Sequence, residues 1–299
     1  MALPFDPYPP FREFAHPERI VSSSWLSAHL GTPGLCVIES DEGKSLYNIG
    51  HLPGAIRIDW GEDLNDPLAH DFISSEQFAQ LMRKKGISRD DTVVIYGERS
   101  NWWAAYTLWI FELFGHPDVR LLDGGRDAWI LEERDISFDI PHLPESDYPV
   151  VARNDELLRA FVEEVAQVVT QDQSHSLVVD ARSNKEYQGL EHRDEALDLT
   201  ERQGHIPGAV NIPWEKALYA NGRFRKRSEL ANLYHDLVER DEIIVYCSAG
   251  NRAALTWFVL KYLLGKENTR LYDGSWLEWS NMVRKEVRRG PHPFGTETT

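Results

Sequence analysis

The segment Ile243-Ile244-Val245-Tyr246-Cys247-Ser248-Ala249-Gly250-Asn251-Arg252-Ala253 carries the pattern from which the fold is most directly predicted. Its four leading apolar residues predict a buried strand, and the apolar run from Ala253 to Leu264 predicts a helix after a short loop of small residues. The thiol of Cys247 is therefore expected at a helix N-terminus. Unpaired backbone N–H groups at such a site favour a thiolate and can hold an anion against the sulfur. We interpret Cys247 as a nucleophile.

Length, composition and charge predict a globular protein that does not bind nucleic acid. The chain has 299 residues, enough for about two domains. An apolar content of 42% and a charged content of 27% are typical of a globular protein. The net charge of −16 argues against a nucleic-acid binder, which usually carries a basic surface.

Cysteine usage and the lack of long apolar runs predict the compartment. The only cysteines are Cys36 and Cys247, with no C-x-x-C spacing, so we expect neither a disulfide framework nor a zinc site. We expect a reducing compartment and interpret Cys36 as part of the core. Residues 1–11 do not resemble a signal peptide, and no apolar run is long enough to span a membrane. The cytoplasm is the predicted location.

The two halves of the chain repeat each other. Three pairs of similar segments lie in the same order, 154, 150 and 150 residues apart. They are Gly50–Ile56 with Gly204–Val210, Val93–Gly97 with Ile243–Cys247, and Arg120–Gly124 with Arg270–Gly274. A repeat of this length indicates two copies of a domain rather than a solenoid of short units.

Each half alternates strand-like and helix-like runs. The predicted strands are Leu35–Glu39, Thr92–Tyr96, Leu177–Asp180 and Ile243–Tyr246, and the predicted helices are Ser75–Lys85, Trp102–Phe114, Ser228–Glu239 and Arg252–Leu264. Short apolar strands between helices predict an α/β fold of two doubly wound domains, each a parallel sheet with helices on both faces. Sites in such sheets form at the carboxyl ends of strands, where Cys247 is expected. We predict domains at 1–140 and 154–285, a proline-rich linker at 141–153, and a loosely ordered tail at 286–299.

These features together resemble the two-domain rhodanese family of sulfurtransferases, and within it the bacterial thiosulfate sulfurtransferases. The resemblance rests on the tandem halves, on Gly-His-x-Pro-Gly-Ala in both, and on a cysteine loop in the second half only. The segments Asp123–Arg126 and Tyr272–Trp276 add to it. It implies an active loop of Cys247, Ser248, Ala249, Gly250, Asn251 and Arg252. It also implies an inactive first domain, in which Gly97 stands where the cysteine would be.

The resemblance implies transfer of sulfane sulfur through a Cys247 persulfide, from a small anionic donor to cyanide or a thiol, including a protein thiol. Thiosulfate is the favoured donor. The uncharged Ser248 and Ala249 are instead similar to the loop of 3-mercaptopyruvate-using relatives. No metal and no organic cofactor is implied. A phosphatase is a third alternative, but its loop is Cys-x5-Arg, whereas Cys247 and Arg252 enclose four residues. A persulfide carrier with little turnover of small donors is a further alternative.

Further site residues follow from the same resemblance. Asp180 is expected to support the site through an ion pair, and Arg182 to bind substrate. Arg193 is a second substrate-binding candidate, of the mercaptopyruvate type. Glu186 stands where some relatives carry a donor-binding arginine. The histidines of the two Gly-His-x-Pro-Gly motifs, His51 and His205, are expected in structural turns, because only one half carries the cysteine.

Overall fold

The structure is a computed structural model that describes residues 3–41, 44–69, 71–170, 175–191, 202–237 and 239–297. Internal contacts divide the chain into two compact units. The first unit comprises residues 1–154 together with 219–224, and the second comprises 155–218 and 225–299.

The first unit is built on a parallel sheet of five strands in the order β1-β7-β6-β2-β3. In chain order its strands are β1 (Ile20–Val21), β2 (Leu35–Glu39), β3 (Ile56–Arg57), β4 (Asn65–Asp66), β5 (Asp71–Phe72), β6 (Thr92–Tyr96) and β7 (Val119–Leu122). Its helices are α1 (Ser23–His29), α2 (Lys44–Asn48), α3 (Trp60–Asp63), α4 (Ser75–Lys84), α5 (Trp102–Leu113) and α6 (Gly125–Leu131). Strands β4 and β5 form a separate antiparallel pair.

The second unit repeats this plan with a parallel sheet in the order β11-β10-β8-β9. Its strands are β8 (Ser176–Asp180), β9 (Val210–Asn211), β10 (Glu242–Tyr246), β11 (Thr269–Leu271), β12 (Arg288–Arg289) and β13 (Thr296–Glu297). Its helices are α7 (Asp155–Leu158), α8 (Val162–Thr170), α9 (Asn184–Gln188), α10 (Arg227–Leu233), α11 (Asn251–Phe258) and α12 (Ser275–Asn281). The predicted tandem α/β fold is confirmed.

Strand β10 is buried on both faces. Successive side chains of a strand point to opposite faces, and Ile244 and Tyr246 pack with residues of α8 and α12. The intervening Ile243 and Val245 are also buried, as is nearly the whole of α11. Apolar side chains at every position of a strand therefore mark a sheet covered on both sides, as the sequence predicted.

Three segments differ from the prediction. Helix α10 ends at Leu233 and a 3₁₀ turn follows at His235–Leu237, so the predicted Ser228–Glu239 helix is too long. Helix α11 continues into a π-helix at Val259–Leu263. The segment from Arg288, expected to be loose, forms the antiparallel pair β12–β13 and bridges to His205. Its backbone pairing supplies order that its composition did not indicate.

Candidate active site

Cys247 lies at the carboxyl end of β10 and is fully buried. The N-terminus of α12 holds the loop that follows. The Trp276 N–H donates to the Cys247 carbonyl at 3.1 Å, and the Leu277 N–H donates to the Ser248 carbonyl at 3.0 Å. These bonds satisfy two loop carbonyls, so the loop has a fixed path from the strand to α11.

The amides of this loop are available to a ligand. Within the part of the chain that the structure describes, the N–H groups of Ser248, Ala249, Gly250 and Asn251 donate to no protein acceptor. Gly250 precedes α11 with φ of +85°, a left-handed conformation that glycine adopts without steric penalty. Such unpaired donors at a helix N-terminus stabilise negative charge. The loop can therefore cradle an anion beside Cys247.

Two polar side chains contact Cys247 directly. Its N–H donates to Ser275 Oγ at 3.2 Å, and its Sγ lies 3.6 Å from Asn251 Oδ1. The same Oδ1 accepts the Arg252 N–H at 2.9 Å. The thiol and its backbone are thus each held by a neutral group.

Arg252, the last residue of the loop, is bound to a carboxylate. Its Nη1 and Nη2 donate to Glu186 at 3.1 and 2.9 Å, and both side chains are buried. Burial alone raises the pKa of Glu186, but the hydrogen bonds and charge of Arg252 outweigh it and hold that pKa below its usual value. The cation at the start of α11 is therefore neutralised within the protein.

Arg182 is also engaged by a carboxylate. Its guanidinium donates to Asp180 at 2.6 Å and to the Gly204 carbonyl at 2.7 Å, and it stacks 4.5 Å from the centre of the Trp276 ring. The Tyr246 hydroxyl also donates to Asp180, at 2.6 Å. Asp180 and Arg182 therefore lie together beside Tyr246, the residue before Cys247, and the Arg182 guanidinium is held by groups of the protein. The other substrate-binding candidate, Arg193, lies outside the described residues.

The first unit contains a related cluster. Tyr96, one strand position before Gly97, donates its hydroxyl to Glu39, and Arg126 binds the same carboxylate at 3.1 Å. A Cβ on Gly97 would lie 2.6 Å from Asp41 Oδ1. Burial raises the pKa of Asp41 to about 7. The position equivalent to Cys247 thus has no room for a cysteine side chain.

The repeated histidines and Cys36 lie away from this chemistry. His51 stacks on Tyr47, and His205 stacks on Tyr187 with ring centres 3.7 Å apart. Both histidines face backbone carbonyls through both ring nitrogens. Cys36 is buried in β2, and burial raises its pKa to about 12. These are packing roles, as the sequence predicted.

The sequence did not predict two contacts of this site. The first is the ion pair of Glu186 with Arg252. The second is the hydrogen bond that Ser275 accepts from the Cys247 N–H. A signal was present for Ser275, because the aligned halves read Asp123-Gly124-Gly125 and Asp273-Gly274-Ser275.

No helix within the described ranges is both long enough and apolar enough to cross a membrane. Among those same residues, no three His, Cys, Asp or Glu side chains are grouped so as to hold a metal ion.

Comparison with known proteins identifies the family. The chain is 61% identical over 292 residues to a thiosulfate sulfurtransferase of Corynebacterium glutamicum, covering 97% of each chain. It is 46% identical to the sulfur carrier protein TtuD of Thermus thermophilus, covering 93% of this chain and 99% of the relative. The crystal structure of SseA from Escherichia coli, a 3-mercaptopyruvate sulfurtransferase, matches with a TM-score of 0.73 at 27% identity, covering 86% of this chain and 98% of that one. The rhodanese-like domain family matches residues 22–132 and 161–282, and the chain belongs to this family.

Proposed function

We propose that this protein is a sulfurtransferase that carries sulfane sulfur as a persulfide on Cys247. The observation that carries the proposal is the buried thiol at the end of β10, next to a loop whose amides donate to no acceptor in the described part of the protein. Covalent transfer of sulfur needs a nucleophile and a site that stabilises negative charge. Cys247 supplies the first and the loop amides supply the second.

The reaction has two displacements. The Cys247 thiolate attacks the outer sulfur of thiosulfate, the bond between the two donor sulfurs breaks, and sulfite leaves with the electron pair. Cyanide then attacks the outer sulfur of the persulfide, thiocyanate forms, and the thiolate is regenerated. Cys247 is buried while Ser248 and Ala249 are partly exposed, so a donor approaches the sulfur past these two residues.

Thiosulfate is the donor we favour, because the relative that shares 61% identity over nearly the whole chain is named for it. The loop itself supports 3-mercaptopyruvate as the alternative. Ser248 and Ala249 carry no charge, and both Arg252 of the loop and the substrate-binding candidate Arg182 are bound to carboxylates. Among the described residues, the donor contacts that remain are therefore the loop amides, which can bind either anion. Arg182 acts in this proposal by orienting Asp180.

A persulfide carrier is the second candidate. It is favoured by the 46% identity to a protein named as a sulfur carrier over nearly its whole length. In this function Cys247 accepts sulfur from a donor enzyme and passes it to a protein thiol, and turnover of small donors is slow.

We also propose domains that follow the predicted division, 1–140 and 154–285, joined by the segment 141–153. For location we propose the cytoplasm, because Cys36 and Cys247 are both free thiols, as is usual in a reducing compartment.

The test is steady-state sulfur transfer to cyanide with thiosulfate and with 3-mercaptopyruvate, for the wild type and for Cys247→Ala. We expect thiosulfate to support transfer and the variant to be inactive. A variant with full activity would refute the role of Cys247. A wild type that uses neither donor but exchanges persulfide rapidly with a protein thiol is the result expected of a carrier.

A further inference from the structure

The loop of the first unit is closed by an asparagine. Asn101 Oδ1 accepts the Gly97 N–H at 2.9 Å, and Asn101 Nδ2 donates to the Leu122 carbonyl at 2.5 Å. This side chain is buried and ties the end of β6 to the end of β7. Both functional groups of its amide are used in the connection.

In the second unit a serine makes the same connection. The positions 150 residues after Gly97 and Leu122 are Cys247 and Tyr272. The Cys247 N–H donates to Ser275 Oγ at 3.2 Å, and Ser275 Oγ donates to the Tyr272 carbonyl at 2.8 Å. One hydroxyl therefore replaces the two hydrogen bonds that Asn101 makes in the first unit.

The two arrangements exclude each other. Gly125, the first-unit counterpart of Ser275, has φ of +55°, and Ser275 has the same φ. A Cβ on Gly125 would lie 2.6 Å from the Gly97 carbonyl oxygen and would also collide with Asn101. In the second unit Ser275 adopts this left-handed conformation, although residues with a Cβ are disfavoured there. Strain retained beside a reactive group points to a function for the side chain that causes it.

Asn251 of the second unit is the counterpart of Asn101, 150 residues later in the chain. Because Ser275 Oγ accepts the Cys247 N–H, the Asn251 side chain does not make this hydrogen bond. Its Oδ1 instead lies 3.6 Å from Cys247 Sγ, which donates to it. The Arg252 N–H donates to the same oxygen and so fixes which amide atom faces the sulfur. We propose that Asn251 accepts the thiol hydrogen of Cys247 and so holds the resting thiol in one orientation, and that Ser275 is the positioning residue that makes Asn251 available. This inference rests on the sulfur transfer proposed above and assigns a residue to it.

The test is a double-mutant cycle of Asn251→Ala and Ser275→Gly. Glycine is compatible with φ of +55°, so Ser275→Gly relieves strain while it removes the hydroxyl. Single-turnover persulfide formation from thiosulfate is measured for the four proteins, together with the rate of Cys247 alkylation by iodoacetamide and the melting temperature. Asn101→Ala is the matched control, because it removes the equivalent amide from the loop without a cysteine.

We expect Asn251→Ala to speed persulfide formation about threefold to tenfold, because this one hydrogen bond exists only in the thiol and must break before the thiolate attacks. In the Ser275→Gly background the same change has an effect of less than about twofold, since Asn251 then turns to bind the Cys247 N–H as Asn101 binds Gly97. Alkylation follows the same pattern of coupling. Asn101→Ala lowers the melting temperature and leaves both rates unchanged.

Equal effects of Asn251→Ala in both backgrounds, or no acceleration in the wild type, overturn the inference. If Ser275→Gly does not fold, Ser275→Ala removes the same hydroxyl and is read in the same way. A wild type that forms no persulfide from thiosulfate or 3-mercaptopyruvate refutes the proposed function instead, and the alkylation cycle still decides the role of Asn251.

Discussion

Replacing Glu186 by glutamine is predicted to destabilise the second unit strongly. Glu186 and Arg252 are 5% and 3% exposed, and two hydrogen bonds of 3.1 and 2.9 Å join them. Glutamine keeps the shape but leaves the Arg252 charge buried without its anion. Removal of one partner from a buried pair costs about 3–5 kcal/mol. At about 2–4 °C per kcal/mol for a unit of this size, the melting temperature falls by about 6–20 °C.

The pH dependence of the same pair has a defined sign. Because the folded-state pKa of Glu186 is lowered, its contribution is complete above the unfolded value of 4.5 and is lost as pH falls through the lower folded value. Wild type and Glu186→Gln are therefore compared by urea unfolding at pH 7 and below pH 4, and the difference between them shrinks at the acid end.

An exposed ion pair in the same unit provides the control for this experiment. Arg225 and Glu229 are joined at 3.1 Å, but their side chains are 36% and 40% exposed. We expect Glu229→Gln to cost at most about 0.5 kcal/mol. A loss below about 1 kcal/mol for Glu186→Gln at pH 7 would refute the reasoning, since the pair would then behave as a surface pair.

Three further predictions follow from the buried polar groups. Asp180→Asn leaves the Arg182 guanidinium without its carboxylate and lowers the free energy of unfolding by about 3 kcal/mol; a loss under about 1 kcal/mol in urea unfolding contradicts this. Burial lowers the pKa of His116 from 6.5 to about 4, so its neutral form stabilises the fold above pH 6.5 and this contribution is lost as pH falls toward 4. His116→Asn flattens that part of the stability profile, and unchanged slopes at pH 5–7 count against it. Gly97→Cys adds a side chain against Asp41, so it lowers stability and yields no second persulfide; mass spectrometry after thiosulfate treatment counts persulfides per chain.

The features predicted correctly from the sequence are those that local pattern encodes. Apolar runs gave the strands β2 and β6 with their observed ends, and the three repeated segments gave the duplication. The position of Cys247 followed from the strand–loop–helix order. The pairing of Glu186 with Arg252 could not be predicted, because it joins the first turns of two different helices, α9 and α11, 66 positions apart. The periodic pattern of one segment does not specify which distant segments it contacts.

Arg182 shows the limit of assigning roles by residue type. An arginine after a strand in a site for an anionic donor predicts a substrate contact. In the structure its neighbour two positions earlier, Asp180, accepts its hydrogen bonds at 2.6–3.2 Å, and Trp276 covers its face. The spacing of Asp180 and Arg182 permits this pairing, but burial decides it, and burial depends on residues distant in the sequence.

The first unit differs from the second in more than the absence of a cysteine at Gly97. In the first unit the Asp41 carboxyl accepts the Glu98 N–H at 2.6 Å. The counterpart of this amide in the second unit, that of Ser248, has no acceptor among the residues that the structure describes. By strand register Glu39 corresponds to Asp180, so the counterpart of Asp41 is Arg182, and the Arg182 guanidinium is bound to Asp180. An anionic donor and the Asp41 carboxyl would compete for the same N–H group. The missing cysteine and the internal carboxyl therefore both oppose donor binding in the first unit, and sulfur transfer there would require both to be reversed.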